Sequence, residues 1–537
     1  MTQITEPVSD HRLRKQNLIT AFTASFAFFI LVNGYRFMSP LLSGDGLLML
    51  YQNDAAWQIA LGRFAHPFIV MLRGGLTSPF LISALALFWT AAAVYLVPSY
   101  LRIRGRLSLI CLSAVMVCNP ALTVTSANFL HEFDCYALAL FLSVASVCLI
   151  AEFISQKRWL YAVGGVLCLA LSCSIYQAYV CVAAGLVMIR LLLAAAGKGD
   201  LRQILKEAAL TLGLAVAAAV LYVIAWKIMQ SALGIWTADT YNGLSGMGDY
   251  SETGVLEVLG LTYRNVADYF FNPATFVTTT FRDFDISAVW GVLLLLCNLA
   301  VLLLTLLWLL RMNRENQTDT PKRLLQAALL ILFPFGINLV CFVSKGMEHT
   351  LMIYAFALVY VLAIALWDAQ HAEAVAADAE RTADGSLCGT RGLRRFLLPA
   401  ALALLTWAQI VSANQLYFKK DLQERAAQSL MTRILVRIEE TPGYVPGETA
   451  VAFTGSFEVN PYIEPLQAFE DVIVWQTGKT SLVYFGTDYA YLSYFENMSV
   501  NMTRLERDRE DIAQMPCYPL DGSVAFVDGV LVVKISD

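Results

Sequence analysis

The sequence predicts an all-α polytopic membrane bundle followed by a small C-terminal α/β domain. Of the 537 residues, 58% are apolar and only 15% are charged, whereas soluble domains carry about 25% charged residues. Apolar runs of roughly 20 residues recur along the chain, and a helix of that length crosses a hydrocarbon core of about 30 Å. The runs stop near residue 414, so we expect a membrane domain over residues 1–414 and a separate domain over residues 415–537.

Eleven apolar runs are long enough to be predicted membrane spans. They cover residues 18–37, 79–98, 107–124, 135–153, 159–174, 177–193, 208–230, 287–310, 324–343, 351–368 and 396–414. The run at 159–174 is the shortest of them, and only two residues separate it from the next.

The distribution of Lys and Arg predicts the orientation of the bundle. Most of these residues fall in alternate connecting segments, beginning with the N-terminal one. The opposite segments before the tail contain few; these are Arg36, Arg63, Arg73, Lys227, Arg264, Arg282 and Lys345. Positively charged segments are retained on the cytoplasmic side during insertion. We therefore expect a cytoplasmic (inner) membrane protein with its N-terminus in the cytoplasm and its C-terminus outside.

The tail, residues 415–537, has the pattern of a small extracytoplasmic α/β domain. Its first part is periodic like an amphipathic helix, and residues 449–453 and 471–475 are typical of strands. Residues 523–527 and 530–534 flank Asp528-Gly529, a pair that suits a type I′ turn. This end of the chain therefore predicts a β-hairpin.

The connection between the first two spans, residues 38–78, is long for a plain connector. Residues 47–61 have helical periodicity, which predicts a surface helix in this outer loop. Asp45 stands just before that helix, and Asp54 lies inside it. A carboxylate at the lipid–water boundary can act as a general base. The alternative that Asp45 is only the N-cap of the helix stays open.

Further charged and polar residues stand in the predicted outer segments. The cations are Arg63, His66, Arg73, Arg282, Lys345 and His349. Together they suit a phosphate ester, or they extend to lipid headgroups. Glu132, Asp134 and Glu348 at span ends, and Tyr176 and Gln177 in a tight turn, are candidates to contact a second substrate. Each of these five also fits a plain boundary or turn residue.

Several kinds of chemistry have no motif in this sequence. No HExxH and no Cys/His cluster with metal-ligand spacing occurs, nor does a nucleotide-binding glycine loop. There is no basic stripe for nucleic acid. We therefore expect no metal or other cofactor and no nucleic-acid partner. An outward-facing site without nucleotide chemistry indicates an activated donor that already lives in the membrane, such as a sugar on polyprenyl phosphate.

Short motifs stand at the ends of the predicted spans. They are Ser43-Gly44-Asp45, Gly62-Arg63-Phe64, Pro79-Phe80, LSCSIYQA at 171–178, GMEHTLMIYA at 346–355 and Asn414-Gln415. As a set they resemble the Gtr type II glucosyltransferases, membrane enzymes that decorate the O-antigen of lipopolysaccharide and related surface glycans. Members of that family often carry two adjacent acids in the first outer loop, where this chain has Asp45-Gly46.

The resemblance implies a C-type (GT-C) glycosyltransferase fold and an inverting transfer of a sugar, glucose in this family, from polyprenyl phosphate. It implies that Asp45, alone or with Asp54, is the general base. The donor or its phosphate would be bound by Arg63, His66, Arg73, Arg282, Lys345 and His349. Glu132, Asp134, Tyr176, Gln177 and Glu348 would contact the acceptor or support the site.

The implied partners are the lipid-linked sugar, a surface glycan acceptor, the lipid bilayer, a flippase and a donor-synthesising glucosyltransferase. Two other classes remain open. A transporter or flippase of a lipid-linked glycan would usually show internal repeats and broken helices, and we find no convincing repeat. A non-catalytic scaffold of envelope assembly would not need Asp45.

Overall fold

A computed structural model of the chain is mainly helical, with a small sheet near its C-terminus. It describes residues 11–39, 46–47, 49–50, 55–238, 250–251, 254–273, 280–281, 284–285, 287–347, 349–381, 396–464, 492–493, 498–505 and 509–537. The predicted combination of a helical bundle and a C-terminal sheet is confirmed at this level.

Helices lie at every position where the sequence predicts a span. Their bounds are His11–Asn33, Pro79–Leu101, Arg106–Val117, Pro120–Asn128, Phe133–Gln156, Trp159–Ile175, Val180–Ala196, Leu201–Leu233, Ser287–Glu315, Thr320–Ile337, Leu339–Val343, Leu358–Arg381 and Leu397–Glu439. Shorter helices are Ala55–Ala60, His66–Leu72, Val255–Phe271 and Glu510–Ala513. Turns of 3₁₀-helix are Gly34–Phe37, Leu130–Glu132, Gln177–Tyr179, Thr350–Ala357 and Phe457–Val459.

Fewer than eleven of these helices qualify as spans by length and composition. Within the described ranges eight are long and apolar enough to cross a membrane, or nine if the bent pair Arg106–Val117 and Pro120–Asn128 forms one span. Trp159–Ile175 is too short by this measure, because its 17 residues rise only about 26 Å. The predicted total of eleven spans stays a prediction. Of the predicted surface helix over 47–61, Ala55–Ala60 is helical, and residues 51–54 lie outside the described part.

The bend in the third predicted span has a local cause. Pro120 has no backbone N–H and stands at the first position of the second helix. The side chain of Asn119 accepts a hydrogen bond of 2.9 Å from Ala121 N, which caps that helix. Its amide nitrogen donates to Tyr354 O at 3.1 Å. The helix Pro120–Asn128 is thereby fixed against the turn Thr350–Ala357, and it leads directly into the buried polar residues described below.

One buried carboxylate joins two distant helices at the start of Arg106–Val117. Asp368 accepts hydrogen bonds from Arg104 N and Gly105 N, both at 2.8 Å, and from Ser108 Oγ at 2.6 Å. Only 6% of Asp368 is exposed. The side chain therefore satisfies three donors, of which the Ser108 hydroxyl is buried and the two backbone N–H groups are partly buried.

We expect Asp368→Ala to be strongly destabilising. Each donor left unsatisfied in a buried place costs about 1–3 kcal/mol, so the midpoint of thermal unfolding in detergent should fall clearly. The matched control is Asp200→Ala, which removes an exposed cap that accepts from Gln203 N at 3.2 Å. A fall no larger for Asp368→Ala than for Asp200→Ala would show that the buried cap contributes little.

The last span and the first part of the tail form one helix. Leu397–Glu439 has 43 residues and is about 65 Å long. It passes through residue 414, where the sequence places the domain boundary, without a break. The apolar character changes there, but helix-forming residues continue on both sides.

The sheet of the tail has four described strands. Those strands are β3 Ala450–Thr454, β4 Asn501–Met502, β5 Val524–Val527 and β6 Val530–Lys534. A separate two-stranded sheet, outside the tail, consists of β1 Thr280–Phe281 and β2 Phe284–Asp285. The strand order in the tail sheet is β4-β3-β6-β5; β3 pairs in parallel with β4 and β6, and β5 pairs antiparallel with β6. The predicted hairpin is confirmed, since Asp528 and Gly529 adopt φ values of 47° and 80°, as a type I′ turn requires. The predicted strand at 449–453 is present, and 471–475 lies outside the described residues.

Candidate functional site

Buried charged side chains meet where residues 38–78 contact the start of Phe133–Gln156. Glu132 lies at the centre of this group. Its Oε2 lies 2.7 Å from His66 Nε2, and the two side chains are 3% and 1% exposed. Its Oε1 accepts a hydrogen bond from Gln58 Nε2 at 2.8 Å and lies 3.7 Å from His131 Nε2. We call these four residues, with Arg63, Arg73 and Asp134, the Glu132 cluster.

A second buried ion pair belongs to the same cluster. Arg73 Nη1 lies 3.1 Å from Asp134 Oδ1, and the side chains are 4% and 2% exposed. The other terminal nitrogen of Arg73 donates to the backbone carbonyl of His131. Two contacts in different directions fix the guanidinium plane. The short helix His66–Leu72 thus places a cluster residue at each end, His66 as its first residue and Arg73 just after its last.

Arg63 is positioned by aromatic rings. Its guanidinium carbon lies 4.9 Å from the centre of the Tyr176 ring, a cation–π geometry. Tyr176 in turn stacks on Tyr136 with centroids 4.1 Å apart. The turn before Arg63 needs glycine, because Gly62 has φ of 81° and a Cβ there would clash with Tyr222 Oη. Arg63 therefore has a defined place beside the cluster.

The tight turn at Tyr176 and Gln177 holds the same connection. Gln177 Nε2 donates to Leu61 O at 2.8 Å and to Tyr222 Oη at 3.0 Å. Ala65 N donates to Ser174 O at 3.0 Å. These contacts favour the interpretation of Tyr176 and Gln177 as supporting residues rather than as groups that contact a substrate directly.

A small cavity adjoins the cluster. Its lining includes Met49, His66, Val70, Arg73, Thr77 and His131. Within the described ranges, the Nδ1 atoms of His66 and His131 and the Nε of Arg73 are buried without a hydrogen-bond partner. Buried polar atoms are normally hydrogen-bonded, so these nitrogens have hydrogen-bonding capacity that the described residues leave unused. The cavity therefore combines cationic and hydrogen-bonding groups in one place.

The remaining predicted site residues are described only in part. Asp45, Asp54, Arg282 and Glu348 lie outside the described residues. Lys345 is half-buried in the turn after Leu339–Val343, with φ of 59°. It precedes His349 by four residues.

The structure brings His349 close to the cluster through one aromatic ring. The His349 and Phe129 ring centroids are 6.3 Å apart, and those of Phe129 and His131 are 6.2 Å apart. Burial lowers the pKa of His349 because it removes water from the charged form. Its Nδ1 accepts from Leu351 N at 3.3 Å. The lowered pKa favours the uncharged imidazole of His349 at neutral pH, and this form can donate from Nε2.

The family resemblance implies a transfer reaction, and we expect its rate to show no limb from His349 above pH 7. The lowered pKa of His349 puts its charge change on the acid side of about 6.5, the ordinary value for a histidine. A His349→Gln variant should lower the rate without changing the shape of the pH profile measured for the wild type. A wild-type limb near pH 7 that disappears in His349→Gln would contradict the neutral assignment.

Several buried polar residues near the cluster were not predicted as site residues from the sequence. Gln58 is uncharged and lies among apolar neighbours, so it gave little signal. His131 adjoins Glu132, and that adjacency could have identified it. Two further cations lie at the C-terminal end of Pro120–Asn128. Lys420 Nζ donates to Ala127 O at 2.6 Å, and Arg36 donates to Ser126 O; helix C-termini attract cations.

A family model described as Glucosyl transferase GtrII matches residues 34–366, more than half of the chain. The chain belongs to the GtrII glucosyl transferase family. The predicted resemblance is confirmed. No curated protein and no solved structure matches the chain.

The GtrII segment contains every predicted site residue and the whole Glu132 cluster. Together with the long apolar helices it identifies a membrane glycosyltransferase. The tail lies beyond residue 366, outside the GtrII match. Among the described residues no group of three or more His, Cys, Asp or Glu could hold a metal. Because Asp45, Asp54 and Glu348 are not among them, the absence of a metal stays a prediction.

Proposed function

We propose that this GtrII protein transfers a sugar, glucose by its family, from polyprenyl phosphate to a surface glycan. The acceptor class is O-antigen-like, and the reaction takes place on the outer side of the cytoplasmic membrane. One observation carries the proposal beyond the family. The connection 38–78 sends His66 and Arg73 into the bundle, where they pair with Glu132 and Asp134 beside a cavity. A plain connector would leave these side chains in water.

The proposed chemistry is an inverting displacement with Asp45 as general base. The carboxylate takes the proton of an acceptor hydroxyl, and the hydroxyl oxygen forms a bond to the anomeric carbon. The bond between that carbon and the phosphate oxygen breaks, and polyprenyl phosphate leaves with the electron pair. The leaving phosphate gains one negative charge in this step. Cations fixed before the reaction stabilise such growing charge without reorganising.

The Glu132 cluster supplies those cations in the proposed site. Arg63 and Arg73 carry permanent charge and bind phosphate oxygens well. Glu132 and Asp134 then act by holding His66 and Arg73 in position. Asp54, Arg282, Lys345, Glu348 and a neutral His349 remain proposed contributors. Neither a metal nor another cofactor has a role in this scheme.

A transfer assay with defined components tests the function. Purified full-length protein in lipid nanodiscs would be incubated with polyprenyl-phosphate-glucose and an O-antigen oligosaccharide. We expect acceptor-dependent release of polyprenyl phosphate and one added hexose on the oligosaccharide. In liposomes, movement of the donor between leaflets without its cleavage would instead indicate a flippase. If the donor is neither cleaved nor moved between leaflets, a scaffold is favoured.

A further inference from the structure

One wall of the cavity beside the Glu132 cluster is formed within residues 46–50, of which the structure describes 46–47 and 49–50. Met49 lines that cavity. The hydroxyl of Thr77 donates to Met49 O at 2.9 Å, and Thr77 N donates to Leu50 O at 3.2 Å. These two hydrogen bonds fix the segment on the side of residue 77. They leave its opposite side to be fixed by something else.

That opposite side is buried in the core of the tail. Leu47 is 0% exposed and belongs to the same apolar cluster as Met431 and Ile434 of the long helix and Val533 of β6. Leu50 packs against this cluster as well. A leucine of the first connection therefore completes the core of a domain that begins more than 350 residues later.

The long helix also contacts the helix Pro120–Asn128, which precedes His131 and Glu132. Lys420, which is 2% exposed, donates to Ala127 O at 2.6 Å and to Asn128 Oδ1 at 3.0 Å. Those two residues end the helix that leads into His131 and Glu132. The same long helix thus contacts Leu47 and the helix that leads into His131 and Glu132.

We propose that the C-terminal domain is a positioning part of the transfer site. Its core, closed by Leu47, sets the place of Leu47, Met49 and Leu50, and with them the wall of the cavity. Leu47 is a positioning residue, because it acts through the segment that it anchors. The inference rests on the proposed function. It differs from a tail that only docks the acceptor, for which the core would not influence the cavity wall.

Two core substitutions test the coupling from opposite ends. Leu47→Ala removes the anchor itself. Val533→Ala loosens the tail core from the side of β6. The Val533 side chain is 0% exposed, and Val533 lies far from Leu47 along the chain. Leu47→Met keeps the volume and should behave like the wild type. Leu520→Ala changes a tail leucine that is 43% exposed and is the matched control.

Two readouts are needed for each variant in nanodiscs. The first is hydrogen–deuterium exchange of the peptide containing residues 46–50, with the helix Pro79–Leu101 as a folding check. The second is kcat and KM for sugar transfer. We expect both core variants to exchange faster at 46–50 and to lose about 10- to 100-fold in kcat, the size of loss that small misplacements cause. KM for the acceptor should change little, and Leu520→Ala should change neither readout.

The outcomes separate the inference from the function on which it rests. Unchanged exchange at 46–50 in Val533→Ala would overturn the coupling, whatever the activity. Faster exchange with a wild-type kcat, or a raised acceptor KM with unchanged kcat, would overturn the positioning role and leave the transferase standing. A wild type that transfers no sugar would refute the proposed function, and the exchange data would then still decide the coupling.

Discussion

Asp45→Asn should abolish sugar transfer while leaving the protein folded. Asparagine keeps the size of the side chain but cannot accept the proton of an acceptor hydroxyl. General bases contribute about 100- to 10,000-fold to a rate, so transfer measured as released polyprenyl phosphate should fall to near background. Donor binding should persist, because Asp45 has no part in holding the phosphate.

Asp54→Asn is the matched comparison for Asp45→Asn. Asp54 is the second acid of the same connection, and the family resemblance does not decide between one acid and two. We expect the loss in Asp54→Asn to be much smaller. Transfer retained in Asp45→Asn but lost in Asp54→Asn would move the base to Asp54, and transfer retained in both would remove the carboxylate mechanism.

Asp134→Ala should be among the most destabilising substitutions in the bundle. It would leave the Arg73 guanidinium buried without the carboxylate that lies 3.1 Å from it. Breaking a buried ion pair by removing one partner costs about 3–5 kcal/mol, because the remaining charge is uncompensated. Thermal unfolding in detergent should show a large fall in midpoint, and transfer should fall as Arg73 and His131 lose their positions.

The double variant Arg73→Met with Asp134→Leu distinguishes stability from function. Replacing both partners by apolar residues of similar size is often neutral for stability, so its midpoint should recover. Transfer should remain low, because a cation of the cluster is gone. Glu207→Ala is the control. The side chains of Arg190 and Glu207 are 26% and 18% exposed, so the loss of this pair should lower the midpoint less. An Asp134→Ala midpoint equal to that of Glu207→Ala would contradict the buried-pair argument.

The sequence predicted the positions of the helices and of the hairpin, whereas the number of membrane spans stays a prediction. Apolar runs gave a helix at every predicted position, and Asp528-Gly529 gave the hairpin because its turn chemistry is local. The unbroken helix through residue 414 was harder to predict. Hydropathy falls there because the surroundings change from an apolar to a polar environment, but the backbone does not respond to that change.

Charged residues at unusual places predicted part of the candidate site. Arg63, His66 and Arg73 stood out because residues 38–78 did not need them for spanning, and Glu132 and Asp134 stood out at a span end. Their pairing could not be predicted, since it depends on how the helices pack. Leu47 gave no signal at all, because a buried leucine in another domain's core has the same local pattern as one on a surface helix.

Competition by the product tests the central claim most directly. The claim is that the cations of the Glu132 cluster bind the phosphate of a lipid-linked sugar. Inhibition of transfer by polyprenyl phosphate would be measured for the wild type, for Arg63→Gln and for Lys227→Gln, which changes a cation near the C-terminal end of the helix Leu201–Leu233. The account predicts an inhibition constant raised about tenfold or more in Arg63→Gln only, in line with the loss of a charged hydrogen bond of about 1.5–3 kcal/mol. An inhibition constant unchanged in Arg63→Gln, with transfer also intact, would contradict it.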